Sequence, residues 1–442
     1  MATKKDLIEA QAFSRNRLLS AFIGGAPGGK ELEPAKPLRA VFGGIALTAM
    51  VILAGVFIGL LRPGLPGGWE NNRLVVARDT GARYVSVEGT LHPVINTVSA
   101  RVLIPADEFA VVSVNQSSLA GIPIGGTIGI LGGPDTLPAA KDLDGRNWLS
   151  CGTHENTEVW LGGQNRTAAP AGVGSVVTRD GEMFVIGDGV SYAIPAGQET
   201  AVLRAIGLES VTPQPVRGDW LALFETGKEL APLKFAGAGA AVAGQDLPAG
   251  SVIRPTGSPE DERYILTAEG ALAPLSPLAH RLYLLGSGGD GLGTPAEISP
   301  AAIAQLPTVQ RAGGEDWPED TLAPSAATGA PCATLAGPAT DQHTTLARES
   351  RPVAGVAPVA GGATVHVPEN VGALVRGGKT GSLVLIDSTG TAYQLPGGVG
   401  VNAKQLGYTA KNVTTVPAGW VRLLPAGPEL TPEAAGATPE SP

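Results

Sequence analysis

The stretch Ala40–Leu61, AVFGGIALTAMVILAGVFIGLL, carries no charge, and Arg39 and Arg62 stand at its two ends. As a helix rising ~1.5 Å per residue it is roughly 33 Å long, enough to cross a bilayer core of about 30 Å. A buried helix of a soluble protein seldom runs this far without a charge. A cleaved signal peptide has an apolar region of only ~7–15 residues, and Gly59-Leu60-Leu61-Arg62 is a poor cleavage site. The stretch is therefore expected to be an uncleaved anchor.

Its flanks set the expected orientation. Lys4, Lys5, Arg15, Arg17, Lys30, Lys36 and Arg39 against Asp6, Glu9, Glu31 and Glu33 give the segment before it a net +3, whereas the chain as a whole is −9, so the remainder is −12. The basic side stays in the cytoplasm and the larger, acidic part faces outward, with its C-terminal domain extracytoplasmic. An acidic, Lys-poor exterior argues against nucleic acid as a partner.

Within the span, Gly55 and Gly59 form a GxxxG spacing, which lets two helices approach closely and makes these glycines candidates for a transmembrane contact. Before it, Thr3 to Ile23 is expected to be a short amphipathic helix. Thr3 with Asp6 resembles a cap, and Phe13, Leu18 and Phe22 lie among its apolar residues beside Arg17. A lone helix of this length is marginal in water, so these four residues are candidates for docking on a membrane or a partner.

The exterior is built without much aromatic surface: 43% of the chain is hydrophobic but only 5% aromatic, and Gly 62 with Pro 37 implies many turns. That composition fits a β-rich domain and is short of a disordered one. Both cysteines, Cys151 and Cys332, lie beyond the span. In an oxidising compartment they pair as one disulfide; the alternative is two unpaired buried thiols.

Four segments share an apolar strand, a glycine turn and a second strand closed by proline. They are Arg83–Val94, Met183–Pro195, Tyr264–Leu275 and Leu383–Pro396. Their Glu-Gly and Asp-Gly pairs are hairpin chemistry. The first and third have short second strands, the second and fourth longer ones. The second and fourth continue to match from Trp220 to Leu230 and from Trp420 to Leu430. The step from Cys151 to Cys332 equals that from Gly89 to Gly270. Two related halves, tied by the disulfide near a pseudo-two-fold axis, are the expectation. The uneven spacing argues against a solenoid or a propeller.

Motifs for chemistry are incomplete. Gly372–Thr380, GALVRGGKT, has Ala373 where a phosphate loop needs its first glycine, and the next residues favour a strand over a helix. His154 and Glu155 lack the second histidine of a zinc-protease motif, so no metal, cofactor or catalytic residue is expected. His92 and His280 are read as equivalent packing residues of the first and third segments.

Leu38-Arg-Ala-Val-Phe42, Leu61-Arg62-Pro63 and above all Arg83-Tyr-Val with Gly89-Thr-Leu-His-Pro-Val-Ile-Asn-Thr-Val-Ser-Ala-Arg101 resemble EccB, the single-span core subunit of type VII (ESX) secretion systems. The resemblance covers nearly the whole chain. It implies a bitopic inner-membrane protein with four repeat domains about a central domain and one disulfide, mapped onto Cys151 and Cys332. It implies partners that are EccC-, EccD- and EccE-like membrane subunits and other EccB copies. Some EccB-like proteins carry an ATPase label, which no motif here supports. The N-terminal segment is poorer in Arg and Tyr than common members.

The expected fold class is a single-pass transmembrane helix plus a large β-rich (α+β) ectodomain of four degenerate repeats. Its divisions are a cytosolic helix and linker over 1–37, the span over 38–62, repeats over 63–131, 176–235, 236–309 and 366–430, a central region from 132–175 with 310–365, and a disordered tail over 431–442. The expected function is a non-catalytic scaffold of a secretion complex; the alternative is a membrane-anchored cell-wall-binding module or sensor.

Overall fold

A computed structural model describes residues 3–24, 38–61, 64–162, 166–353, 362–398 and 402–439. The chain divides into two units, Met1–Pro66 with Ser117–Ala120, and Gly67–Gln116 with Gly121–Pro442. The first contains helices α1 (Lys4–Gly24) and α2 (Leu38–Leu61).

The start of α1 is fixed by Thr3, whose N–H and hydroxyl both donate to the Asp6 carboxylate, at 2.8 and 2.7 Å. The expected amphipathic face is only partial. At 3.6 residues per turn, Leu7, Ile8, Leu18, Leu19, Phe22 and Ile23 share a sector with Lys4, Lys5 and Arg15, while Phe13 lies opposite. From Ala40 onward α2 carries no charge, and its Thr48 hydroxyl is satisfied by the Gly44 carbonyl at 2.8 Å, so Thr48 leaves no unpaired hydroxyl on an otherwise apolar surface.

The second unit is a mixed, sheet-rich domain. Its first sheet joins β1 (Arg73–Ala77), β2 (Arg83–Val87) and β3 (Thr90–Pro93) antiparallel; α3 (Thr97–Leu103) then crosses over, and β4 (Ala110–Val114) returns parallel to β1. β5 (Leu149–Gly152) and β6 (Thr157–Trp160) form a hairpin. The second sheet has β7 (Val173–Arg179), β8 (Glu182–Gly187), β9 (Val190–Ile194), helix α4 (Glu199–Ile206), and β10 (Gln214–Pro215) parallel to β7; α5 (Gly218–Leu221) leads to β11 (Glu225–Thr226), which flanks β9. The third runs β12 (Val252–Pro255), β13 (Tyr264–Leu266), β14 (Leu272–Pro274), α6 (Pro277–Leu284) and β15 (Ala296–Ile298), followed by α7 (Pro300–Ile303).

β16 (Ala323–Pro324) rejoins β7, and β17 (Cys332–Ala336), β18 (His343–Leu346) and β19 (Thr364–His366) add to the β5–β6 hairpin in the order β18-β17-β5-β6-β19. The last sheet has β20 (Ala373–Gly377), β21 (Leu383–Ile386), β22 (Ala392–Leu395), α8 (Asn402–Gln405) and β23 (Thr414–Val416) parallel to β20; α9 (Ala418–Arg422) and α10 (Pro432–Gly436) follow. One strand order, hairpin plus parallel return strand, thus recurs in four sheets.

The hairpin turns explain the local signals. Glu88 and Gly89 both have positive φ, as do Asp188 and Gly189, the type I′ geometry that matches strand twist. The other two turns are wider. The N–H of Thr267 donates to Ala271 O and that of Asp387 to Thr391 O, and the Thr267 and Asp387 side chains accept in return from the N–H groups of Ala271 and Thr391. Glu269-Gly270 is therefore not the two-residue turn its sequence suggested.

Packing binds the sheets in twos. Val98 and Val102 of α3 join Leu383, Leu385 and Tyr393 of the last sheet, and Leu430 after α9, in one cluster. Val202 and Ile206 of α4 join Leu278, Leu282 and Tyr283 of α6 in another. The central sheet lies in a third cluster, with the fully buried Trp148, Trp220 and Trp420.

Two boundaries differ from expectation. Over 431–439 the tail is not disordered: the Thr431 hydroxyl caps α10 by accepting the Ala434 N–H at 3.1 Å, and Ala435 is buried in the cluster that contains α3. Residues 440–442 lie outside the described ones, as does 354–361 of the expected central region. The start of that region, 310–324, packs elsewhere, with Trp317 inside the cluster of the second and third sheets.

Candidate functional surfaces

The two cysteines lie on neighbouring central strands. Cys151 and Cys332 are register partners of β5 and β17, their Cα atoms 4.0 Å apart, and they form a disulfide that closes a sequence separation of 181. Leu149 and Ala347 are buried in the same cluster, with Trp160 and Val353 packed against it.

Beside it, the β5–β6 hairpin holds a set of polar groups. The Asp219 carboxylate takes hydrogen bonds from the Thr157 hydroxyl (2.7 Å), the Trp220 N–H (2.7 Å) and the Arg217 guanidinium (3.0 and 2.8 Å). Burial alone would push this carboxyl up; the Arg217, Thr157 and Trp220 donors outweigh it and hold it below the usual carboxylate range. A lowered folded-state value means stability present above the unfolded value of about 3.9 and lost as pH falls through the folded one. Asp219→Asn is accordingly expected to cost about 1–2 kcal/mol at neutral pH and to flatten the acid limb of denaturant midpoint against pH between 7 and 3. Parallel limbs for the two proteins would refute this role.

At the next residue of β6, buried Glu158 meets the His366 imidazole of β19 at 2.8 Å, and that ring stacks on Trp160 with centroids 5.1 Å apart. The Arg351 guanidinium lies 5.5 Å from the Trp160 ring centroid. This cluster fixes the short β19 to the sheet. The sequence reading missed it because Glu158 and His366 are 208 residues apart in the chain.

The incomplete motifs become ordinary structure. Gly372–Thr380 is β20 and its turn: Gly378 has φ +75°, Lys379 is exposed 3.7 Å from Asp341, and β21 follows. A strand leaves no fan of N–H groups for a phosphate. His154 and Glu155 are exposed in the β5–β6 turn, away from the Glu158–His366 pair. Among the described residues no group of three His, Cys, Asp or Glu could hold a metal ion. His92 and His280 are not equivalent: His92 is on β3 beside Gly126 O, whereas His280 is buried on α6 against Gly293 O at 2.8 Å, where burial pushes its pKa down.

The remaining candidates are on the first unit. Phe13, Leu18 and Phe22 of α1 are exposed, Phe22 at 93%, and the Arg17 carbonyl accepts from Ser20. Ala40–Phe57 is, among the described residues, the one window long and apolar enough to cross a membrane, and none of it is buried. Gly55 and Gly59 both lie on α2, and among the described residues no atom beyond its chain neighbours and the adjoining helix backbone stands within 4 Å of a Cβ placed on Gly55.

A family model described as type VII secretion system ESX-1, transport TM domain B, matches residues 1–441. The ESX-3 secretion system ATPase EccB3 of Mycolicibacterium smegmatis is 28% identical over 383 residues, covering 81% of this chain and 71% of that protein. A chain of the intact ESX-5 inner membrane complex superposes with a TM-score of 0.65 at 22% identity, covering 100% of this chain and 96% of its own length. A chain of the EccB3 dimer from the ESX-3 core complex gives 0.64 at 22%, covering 82% and 99%.

Proposed function

The chain belongs to the EccB family of type VII (ESX) secretion systems, and from that premise we propose that it is a non-catalytic scaffold of an ESX inner-membrane complex. α2 spans the membrane, with the N-terminus cytoplasmic and the sheet-rich unit outside; the +3 charge before the span and −12 after it support that orientation. Phe13, Arg17, Leu18 and Phe22 of α1 dock on EccC-, EccD- or EccE-like membrane subunits. Gly55 and Gly59 admit a neighbouring span, and copies of the chain meet through the exterior. The solved relatives described as an inner membrane complex and as a dimer support this assembly.

The observation that carries the reading is the apolar surface of α2 and α1, which the described residues leave uncovered. Although the relatives are named ATPases, the strand after Lys379 supports a structural role.

Within the exterior, the four sheets are read as four repeats forming two halves. Equivalent hydrogen bonds support this. Leu230 N donates to Ala193 O and Leu430 N to Gln394 O, both at 2.9 Å; Gly227 N donates to Ser191 O and Gly427 N to Ala392 O, also at 2.9 Å. Leu91 N donates to Pro123 O (2.9 Å) and Leu272 N to Pro307 O (2.8 Å). The first and fourth sheets then correspond to the third and second, and Cys151 and Cys332 join the halves near the pseudo-two-fold axis. The test of the scaffold is extraction of the tagged full chain from native membranes, where other subunits of the system are expected to accompany it.

A further inference from the structure

The four sheets differ in how they finish their return-strand edge. At β23, the outward-facing Thr415 is covered by the chain: its N–H donates to Ala339 O (2.8 Å) and its O accepts from Gln342 N (3.4 Å). β10 ends in Pro215, which has no N–H to offer. At β15 the outward residue is Glu297, ion-paired with Arg254. Coverage, proline and charge are the usual ways to blunt a sheet edge.

β4 is blunted at only one of its two outward-facing residues, Ser113, and Val111 is left uncovered among the described residues. The strand reads Ala110-Val-Val-Ser-Val114 with no charge, and Val111 is 55% exposed. Val114 O accepts the Arg78 N–H at 2.8 Å, so Ala110, Val112 and Val114 turn their backbone groups to β1. Alternation then turns those of Val111 and Ser113 away from the sheet. The Arg78 side chain reaches over only the far end, donating to Ser113 O (2.6 Å) and Ser113 Oγ (2.9 Å).

We propose that β4 is a self-pairing edge: it adds antiparallel to β4 of a second copy of this chain, about a two-fold axis through Val112. This deepens the proposed assembly of copies by naming where they meet, and rests on that reading. Two observations and the symmetry of closed dimers select a second copy as the occupant. The strand carries no charge, and antiparallel pairing about Val112 sets Val111 of one copy opposite Ser113 of the other, with the N–H and C=O groups of each facing those of its partner. An isologous pairing uses one patch twice and closes as a dimer. Charge also matches: exposed Asp107 and Glu108 precede the strand, and Arg78 lies at its other end. The two-fold axis brings the Arg78 end of each copy to the acidic end of its partner.

In that pairing Val112 faces Val112 of the other copy at a non-hydrogen-bonded position, where Cα atoms are about 4.5 Å apart, within reach of a disulfide. The experiment uses the full chain in detergent, with Val112→Cys examined on non-reducing gels and Val111→Lys followed by mass in solution. Val112→Cys is expected to give a reducible covalent dimer, and Val111→Lys to weaken self-association at least tenfold with an unchanged melting temperature. An oligomeric wild type whose Val112→Cys form stays uncrosslinked, or whose Val111→Lys form assembles equally, overturns the β4 site and leaves the assembly reading standing. A crosslink to a different protein overturns self-pairing. A wild type that is monomeric at every concentration overturns the assembly reading as well.

Discussion

Replacing Cys151 and Cys332 together by alanine is expected to lower the stability of the sheet-rich unit by about 5 kcal/mol, the largest effect of any change considered. The bond closes a sequence separation of 181. The chain-entropy account of so long a loop gives about 5 kcal/mol, most of it from restricting the unfolded chain. The site makes this plausible physically, because β5 and β17 are also paired by backbone hydrogen bonds and the variant keeps a native arrangement to fold into. The measurement is denaturant unfolding of the full chain in detergent, followed by tryptophan fluorescence. A midpoint drop equivalent to several kcal/mol with an unchanged near-native spectrum is the expected result. A loss under about 1 kcal/mol would mean that the packed sheets hold β5 and β17 together without the bond.

The second large effect is expected at Trp420. The residue is fully buried, meets Trp148 edge to face at 6.1 Å, and donates its indole N–H to the Thr344 hydroxyl at 2.9 Å. Trp420→Ala should cost about 3–5 kcal/mol, the range for emptying an aromatic core site. Trp220 is its counterpart in the proposed repeat relation, equally buried and donating to Ser150 O at 3.0 Å. A Cβ on Gly152 would strike the Trp220 ring at 2.6 Å, so that site has little room to collapse. Trp220→Ala is therefore expected to cost the same as Trp420→Ala within about 1 kcal/mol. Costs differing by more than about 2 kcal/mol, measured by the same unfolding assay, would speak against equivalent halves.

How much of this was legible in the sequence depended on the range of the interaction. The span was readable because Ala40–Leu61 is a local pattern. So were the hairpins, because Gly89, Gly189, Gly270 and Gly390 all take positive φ, a demand that glycine meets without strain. The return strands Ala110–Val114, Ala296–Ile298 and Thr414–Val416 were not seen. Each is short and pairs in parallel across a helical crossover, so no adjacent turn announces it. The Glu158–His366 pair was hidden for the same reason, its members being 208 residues apart. α10 was lost to composition: Thr431-Pro432 is a helix start, but an Ala-, Gly- and Pro-rich segment reads as disorder until Ala435 is placed in a core. The docking candidates of α1 and the glycines of α2 were local choices, and among the described residues Phe13, Leu18 and Phe22 are exposed.

The central claim is that this chain works by holding membrane neighbours together and not by turning over a substrate. Its most direct test is mass analysis of the tagged full chain, extracted from native membranes in a mild detergent, beside the same chain carrying Lys379→Ala. Both forms are predicted to elute in one assembly far heavier than the 44.6 kDa chain, with further copies and other membrane subunits of the secretion system in it. Wild-type chain that elutes alone while those neighbours remain assembled, or an assembly that Lys379→Ala abolishes, would contradict the account.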